Sequence, residues 1–175
     1  MSIRRILSTL AILATLTGCS TINRGPAPNL ERGASWAVLP FANHTETPMA
    51  GSRAEAIAGA ILQRKLLTIV PLPASETSES LFDPNERARL DAAMKSATEA
   101  GVKYALAGSV EEWRYKVGVD GEPVVGVSLR IIDVSTNKIL WAGSGGKSGW
   151  PREALSAVAQ QLLSDLMKTG LANAN

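Results

Sequence analysis

Few residues in this chain are able to do chemistry. Histidine occurs once, at His44, beside Asn43, Thr45 and Glu46. A Ser/His/Asp nucleophilic system would need that imidazole, with Asp133 or Asp120 as the orienting carboxylate. No serine stands in a G-x-S-x-G elbow, so His44 reads as a surface-loop residue. A zinc-type site needs several nitrogen or sulfur ligands, which one histidine and one cysteine cannot supply. Neither a metal nor another cofactor is therefore expected. Paired carboxylates remain as a hydrolytic option. Glu111 and Glu112 are adjacent, however, and successive residues of a strand point to opposite faces, so they are not expected to act as a pair. The segment Gly143-Ser144-Gly145-Gly146-Lys147-Ser148 superficially suggests a phosphate loop. It misses the G-x-x-x-x-G-K-[ST] spacing, because Trp141 stands where the first glycine belongs, and it reads as a flexible turn. The expectation is a protein that is not an enzyme.

The one cysteine, Cys19, has a more definite context. Arg4 and Arg5 precede an apolar run from Ile6 to Leu16 that is too short to cross a bilayer as a lone helix. Small residues then lead to the cysteine, which is the layout of a secretory signal. Leu16-Thr17-Gly18-Cys19 resembles the lipobox of bacterial lipoproteins. That resemblance implies cleavage after Gly18, acylation of Cys19, and, with Ser20 rather than aspartate next, sorting to the periplasmic face of the outer membrane. Residues 1–18 are assigned as the lipoprotein signal peptide. One acyl chain would hold a protein only marginally, whereas the several chains of a bacterial lipoprotein anchor it stably.

Cleavage would remove Arg4 and Arg5 from 18 Lys+Arg, leaving a body formally neutral against its 16 Asp+Glu. That balance lacks the basic footprint of a nucleic-acid binder. No later apolar run is long enough to span a membrane as a helix. The remaining length suits a single domain with a real core.

The elements that must position any site follow from pattern. Residues 19–34 hold the cysteine and a polar stretch with two prolines and two glycines, read as a flexible leash. Fully extended, that leash reaches about 50 Å. A single globular domain is expected over 35–170, with 171–175 as a frayed tail. Ser35 to Phe41 is an apolar strand ending near Pro40. Ser52 and Glu55 form a capping box opening a helix with Ile57, Ile61, Leu62 and Leu66 on one face. Thr68-Ile69-Val70 is a short strand, and residues 71–85 a long Pro/Ser/Glu-rich excursion.

Asp83-Pro84 starts a second helix with Leu90, Ala93, Met94 and Ala97 on its apolar stripe, stopped by Gly101. Tyr104–Val117 and Val124–Val134 are strands joined by an Asp-Gly turn, and Ile139–Ser144 is the last strand. Leu155, Val158, Ala159, Leu162 and Leu166 mark the final helix. The order β-α-β-α-β-β-β-α predicts a mixed α/β (α+β) fold. It combines a crossover with a closing antiparallel meander, and helices pack on the mixed sheet.

Three stretches carry a further resemblance: Trp36 to Asn43, Gly101 to Val110, and Val127 to Trp141. Together they resemble the fold of the TolB N-terminal domain, the curli lipoprotein CsgG and the synthase activator LpoB. The absence of long membrane-spanning hairpins separates the chain from CsgG. With the lipobox, the bare domain and Gly145 to Pro151 before the last helix, the chain is most similar to the PelC family. These are outer-membrane lipoproteins of Pel exopolysaccharide export. The resemblance implies a homo-oligomeric ring of about a dozen subunits on the periplasmic side, closed by a repeated contact. Its implied partners are the membrane, an outer-membrane porin and a cationic polysaccharide. A lipoprotein activator of a peptidoglycan synthase is the alternative, and an envelope hydrolase a more remote one. The LpoB-like activators carry a longer leash than the one here.

Within this frame Trp150, before Pro151 in a Gly-rich segment, either staples its own helix or sits at the lipid headgroup level. Lys147 and Arg152 flank it and suit anionic lipid phosphates. Asp120, Glu122, Glu76 and Glu79 are candidate lumen acids, since carboxylates repeated around an axis attract a cationic polymer. Their plain reading is a solvated face. Glu111, Arg114 and Lys116 could instead form ion pairs between subunits.

Overall fold

The computed structural model describes residues 20–73, 86–118 and 121–174. Cys19 and everything before it, Glu76, Glu79, the Asp83-Pro84 helix start and Asp120 lie outside the described residues. In chain order the elements are β1 (Ser20–Arg24), β2 (Ser35–Val38), β3 (Ala42–Asn43), α1 (Ala50–Arg64), β4 (Thr68–Ile69), α2 (Glu86–Glu99), β5 (Tyr104–Tyr115), β6 (Pro123–Asp133), β7 (Lys138–Ser148) and α3 (Leu155–Gly170). The strands form one open, mixed sheet in the order β1-β7-β6-β5-β2-β4, with β3 pairing farther along β5. β2 runs parallel to β4 and β5, while β5, β6, β7 and β1 are antiparallel neighbours. This is the expected mixed α+β class with its crossover and closing meander.

Two helices cover one face of the sheet. From α3, Val158, Ala159, Leu162, Leu163, Leu166 and Met167 are buried. They meet Val125, Val127, Leu129 and Ile131 of β6, the alternate residues that period two assigns to one side. Each fully buried aliphatic side chain there contributes roughly 1.5–3 kcal/mol. α1 lies beside α3 and buries a stripe of small residues, Ala50, Ala54 and Ala58, ahead of Ile61 and Leu62. On the other face α2 sets Leu90, Ala93, Met94 and Ala97 over Ala105, Ala107 and Ile132.

Four expectations need correction. The first turn of α1 is three residues earlier than the capping box placed it, with its cap at Met49 and not Ser52. Met49 caps it in a left-handed conformation without a side-chain hydrogen bond, and Glu55 Oε2 accepts the Phe41 N–H at 3.4 Å. Leu66 is not on the apolar face. It follows the helix with φ 58° and is 91% exposed. The Gly-rich turn before α3 is strand: β7 continues through Gly143–Ser148, paired to β6 on one side and β1 on the other. Glycine is required there by packing, since a Cβ on Gly145 would stand 2.9 Å from the Thr21 carbonyl and 3.1 Å from Leu162.

The fourth correction concerns the ends of the domain. Residues 20–24 of the expected leash are a strand, with Ile22 packed against the main core and the Arg24 guanidinium donating to the Asp165 carbonyl at 2.8 Å. Farther on, Leu30 is buried and the Glu31 N–H donates to the Tyr104 hydroxyl at 3.0 Å. The expected frayed tail is also docked. Leu171 and Ala174 extend the buried stripe of α3, and the Asn173 amide donates to the Pro28 carbonyl at 3.1 Å. The body thus includes residues on both sides of 35–170.

Trp141 joins these ends. Its indole N–H donates to the Gly25 carbonyl at 3.2 Å. Its ring lies so close to Gly143 and Gly170 that a Cβ on either would meet it at 2.7 Å and 3.0 Å. Trp141→Ala is expected to cost about 3–5 kcal/mol. Chemical denaturation checks the loss, and amide exchange should show β1 losing protection before β5 and β6 do.

Candidate functional site

The strand register puts several separate segments at one end of the sheet. A row across it runs Tyr115 to Pro123, Val124 to Ser148, and Lys147 to Ser20. Beyond this row lie residues 116–118 and 121–122 of the β5–β6 connection and the loop from Gly149 to Ala154, and Ser20, next in sequence to Cys19, stands in the row itself. The 44–49 loop reaches the same end, where the Thr47 hydroxyl donates to the Trp113 carbonyl at 2.6 Å. Four large apolar side chains are exposed on these segments: Met49, Tyr115, Val117 and Trp150. Isolated exposed apolar residues are ordinary, but four on neighbouring loops at one pole form a feature.

The Trp150 loop is built from its neighbours. The Gly149 N–H donates to the Pro123 carbonyl at 2.8 Å. A Cβ on Gly149 would come within 2.5 Å of both Glu153 and Val158, so only glycine lets the loop fold down here. Glu153 Oε2 accepts the Trp150 N–H at 2.8 Å. The Tyr115 hydroxyl accepts the Leu155 N–H at 3.2 Å and lies 3.3 Å from the Glu153 carbonyl. Within this frame the indole of Trp150 is 49% exposed. A fully packed staple on α3 is therefore not what is observed. Arg152 holds φ 65° and is exposed, and neither it nor Lys147 makes an ion pair among the described residues.

Helix direction adds to the charge at this end. Both α1 and α3 begin here, neither N-cap residue, Met49 or Ala154, makes a side-chain hydrogen bond, the first N–H of α3 donates to the Tyr115 hydroxyl, and neither helix has an acidic residue in its first turn. Their N-termini place partial positive charge at the same pole as Lys147 and Arg152.

The acids divide differently from the sequence expectation. Of Asp120, Glu122, Glu76 and Glu79, only Glu122 is among the described residues, and Lys116 Nζ stands 3.1 Å from it. Arg114 pairs with Glu112 at 2.7 Å. Both pairs lie within one chain. The expectation that Glu111 and Glu112 face apart is overturned by a bulge in β5 between Val110 and Glu112. An extra residue there breaks the alternation, and both Cβ atoms lie within 3.7 Å of where a Gly126 Cβ would stand. The two carboxylates have separate partners, however, since the Ser109 hydroxyl donates to Glu111 at 2.6 Å. Glu46, Glu111 and Tyr115 border an open groove of about 730 Å³ at this end.

His44 is exposed, and its N–H donates to the Val110 carbonyl at 2.9 Å. Asp133 lies beside Tyr104, six residues back along β5, about 20 Å away, so the two do not form an acid–base pair. Among the described residues no three of His, Cys, Asp and Glu come together to hold a metal ion.

The strongest perturbed titration belongs to Asp133, at the opposite pole. The Ser135 hydroxyl at 2.6 Å, Lys103 Nζ at 3.1 Å and the Thr136 N–H at 3.0 Å hold its carboxyl well below the usual carboxylate range. Lys103 is raised in turn, by Asp133 first and then Glu31. The arrangement pins the β6–β7 turn.

No family model and no curated protein matches the sequence. Among solved structures, lipoprotein GNA1162 from Neisseria meningitidis superposes with a TM-score of 0.55 at 19% identity. The match covers 81% of this chain and 99% of that one. At that identity the match shows the fold alone, one that lipoproteins use. PelC from Paraburkholderia phytofirmans, solved as a dodecamer, is much nearer. A single-substitution variant gives a TM-score of 0.75 at 39% identity, and a second crystal form 0.71 at 37%. Each match covers 90% of this chain and all of that one. The chain belongs to the PelC family.

Asp133 gives a test of the pole remote from Trp150. A depressed carboxyl pKa adds stability that is present above the unfolded value, near pH 3.9, and lost as pH falls through the folded one. Asp133→Ala is expected to lower Tm at neutral pH. Its deficit against the parent should shrink as melts are taken to progressively lower pH below about 4.

Proposed function

We propose that this protein is a non-enzymatic, lipid-anchored ring subunit on the periplasmic face of the outer membrane. In this reading Cys19 is acylated, twelve copies surround a central passage, and the ring guides a cationic exopolysaccharide, Pel, to an outer-membrane porin. The observation that carries it is convergence at one pole. Ser20, next in sequence to the residue that would bear the lipid, the exposed Trp150, the N-termini of α1 and α3, and Lys147 and Arg152, which make no ion pair among the described residues, all lie at the same end of the sheet. An indole with one wet edge is favoured at the membrane interface, and the cations suit lipid phosphates. The dodecamers of PelC from Paraburkholderia phytofirmans support the ring.

The ring would repeat a weak membrane contact around its circumference, so modest insertion per subunit sums to firm seating. Carboxylates would be repeated in the same way. Asp120, Glu122, Glu76 and Glu79 are the proposed lumen acids, and Glu46 and Glu111 join them as described acids bordering the groove. Glu122 already carries a Lys116 counter-charge, so it contributes less field than its formal charge suggests.

Trp150→Ala is expected to leave the fold and melting temperature near those of the parent, since the side chain is half exposed. Secreted cationic polysaccharide should fall several-fold in a strain carrying only this variant. Secretion at the parental level would remove the membrane role of Trp150.

A further inference from the structure

We infer that residues 20–34 act as a rigid mount that holds the Trp150 pole against the bilayer, and not as a tether. The inference rests on the membrane reading of Trp150 given above and goes beyond it. What carries it is the docking of this segment along its length. All five residues of β1 pair with β7, from Ser20 opposite Lys147 to Arg24 opposite Gly143. Past the strand, the Gly25 N–H donates to the Ala142 carbonyl at 3.0 Å, and the Gly25 carbonyl takes the Trp141 indole N–H. Ile22 packs into the core and Arg24 bonds to α3.

The geometry follows from chain connectivity. Consecutive Cα atoms are 3.8 Å apart, and paired strand residues about 5 Å apart. Cys19 precedes Ser20, Ser20 pairs Lys147, and Trp150 is three residues beyond Lys147, which keeps Cys19 within about 20 Å of Trp150. A free leash of the same residues would allow about 50 Å and any orientation. With β1 zipped, an acyl group on Cys19 enters the bilayer beside Trp150, Tyr115 and Val117. The pole carrying Asp133 then points away from the lipid, and the strands stand steeply to the membrane plane.

The test separates mounting from anchoring. The lipidated full-length protein is reconstituted in vesicles of phosphatidylethanolamine and phosphatidylglycerol containing brominated lipid, and tryptophan quenching is read. Trp36, Trp113 and Trp141 are buried, so lipid quenching reports on Trp150, with Trp150→Phe as the baseline. One variant carries a Gly-Ser spacer of about six residues, some 20 Å extended, between Cys19 and Ser20, which leaves β1 and its pairing intact. A second, Ile22→Pro, breaks β1 itself, with circular dichroism confirming the remaining fold. Both are expected to float with the vesicles as the parent does, while Trp150 quenching drops at least threefold. Parental quenching in the spacer variant overturns the mount and leaves the membrane reading standing. Absence of quenching in the parent itself overturns the membrane reading and the mount with it.

Discussion

The structure depends on one side chain meeting three glycines. Trp141 rests against Gly25, Gly143 and Gly170, which lie in the N-terminal segment, in β7 and at the end of α3. A Cβ at Gly143 or Gly170 would intrude on the ring, so these positions accept no larger residue without displacing it. The indole N–H has its partner in the Gly25 carbonyl, so a large polar-tipped side chain is buried without an unsatisfied donor. This contact turns β7 from an edge into an interior strand. Once β1 is zipped alongside, seven strands form one continuous sheet and the chain's beginning is fastened to its last helix. That fastening fixes Ser20 opposite Lys147, three residues before Trp150.

That contact could not be read in advance, and the reason is physical. Its partners are more than a hundred residues apart in sequence, and glycines carry no pattern of their own. The elements that were legible have a periodic apolar face: α3 with Val158, Leu162 and Leu166, α2 with Leu90, Ala93 and Met94, and β6 with Val125 to Ile131. The misread elements lack one. β1 buries only part of one side chain, Ile22, so Ser-Thr-Ile-Asn-Arg resembles linker composition. The last third of β7 is glycine, serine and lysine, which local preference assigns to a turn and the packing of Leu162 assigns to a strand. The bulge that puts Glu111 and Glu112 on one side is a departure from alternation that only the partner strand reveals. Trp150, Lys147 and Arg152 were visible as residue types. Their company was not, because Tyr115, Val117 and Met49 reach that pole through β5 and the 44–49 loop.

The polarity of the body matters as much as its fold. The formal charge of the whole sequence is only +2, and the proposed cleavage would bring it to zero, so orientation on an anionic surface must come from how charge and apolar area are distributed. Here one pole exposes Met49, Tyr115, Val117 and Trp150 beside two helix N-termini and two cations, Lys147 and Arg152, that make no ion pair among the described residues, while Leu66, Ile139 and Leu140 are exposed toward the opposite pole. The opposite pole also carries the Asp133–Lys103–Glu31 cluster that locks the β6–β7 turn. Strongly perturbed titration usually marks a candidate functional site, but Asp133 is satisfied by two hydroxyls, a backbone N–H and a lysine, which is a structural arrangement.

A mounted subunit also bears on how a ring can close. A heterologous contact closes into a ring only when the rotation between neighbours is fixed, and small tilts accumulate around the circle into an open helix. A subunit on a free leash brings all its rotational freedom to each contact, and association must first remove it. If the lipid and β1 hold the strand direction to the membrane normal, two of three rotations are spent before neighbours meet. Only rotation about the normal and diffusion in the plane remain to be fixed. Planar closure then becomes the default outcome, because every copy presents the same side at the same height. In this view the anchor does more than raise local concentration. The residues between the lipobox and the first central strand would make the bilayer a template for the ring, and a modest contact between subunits would suffice.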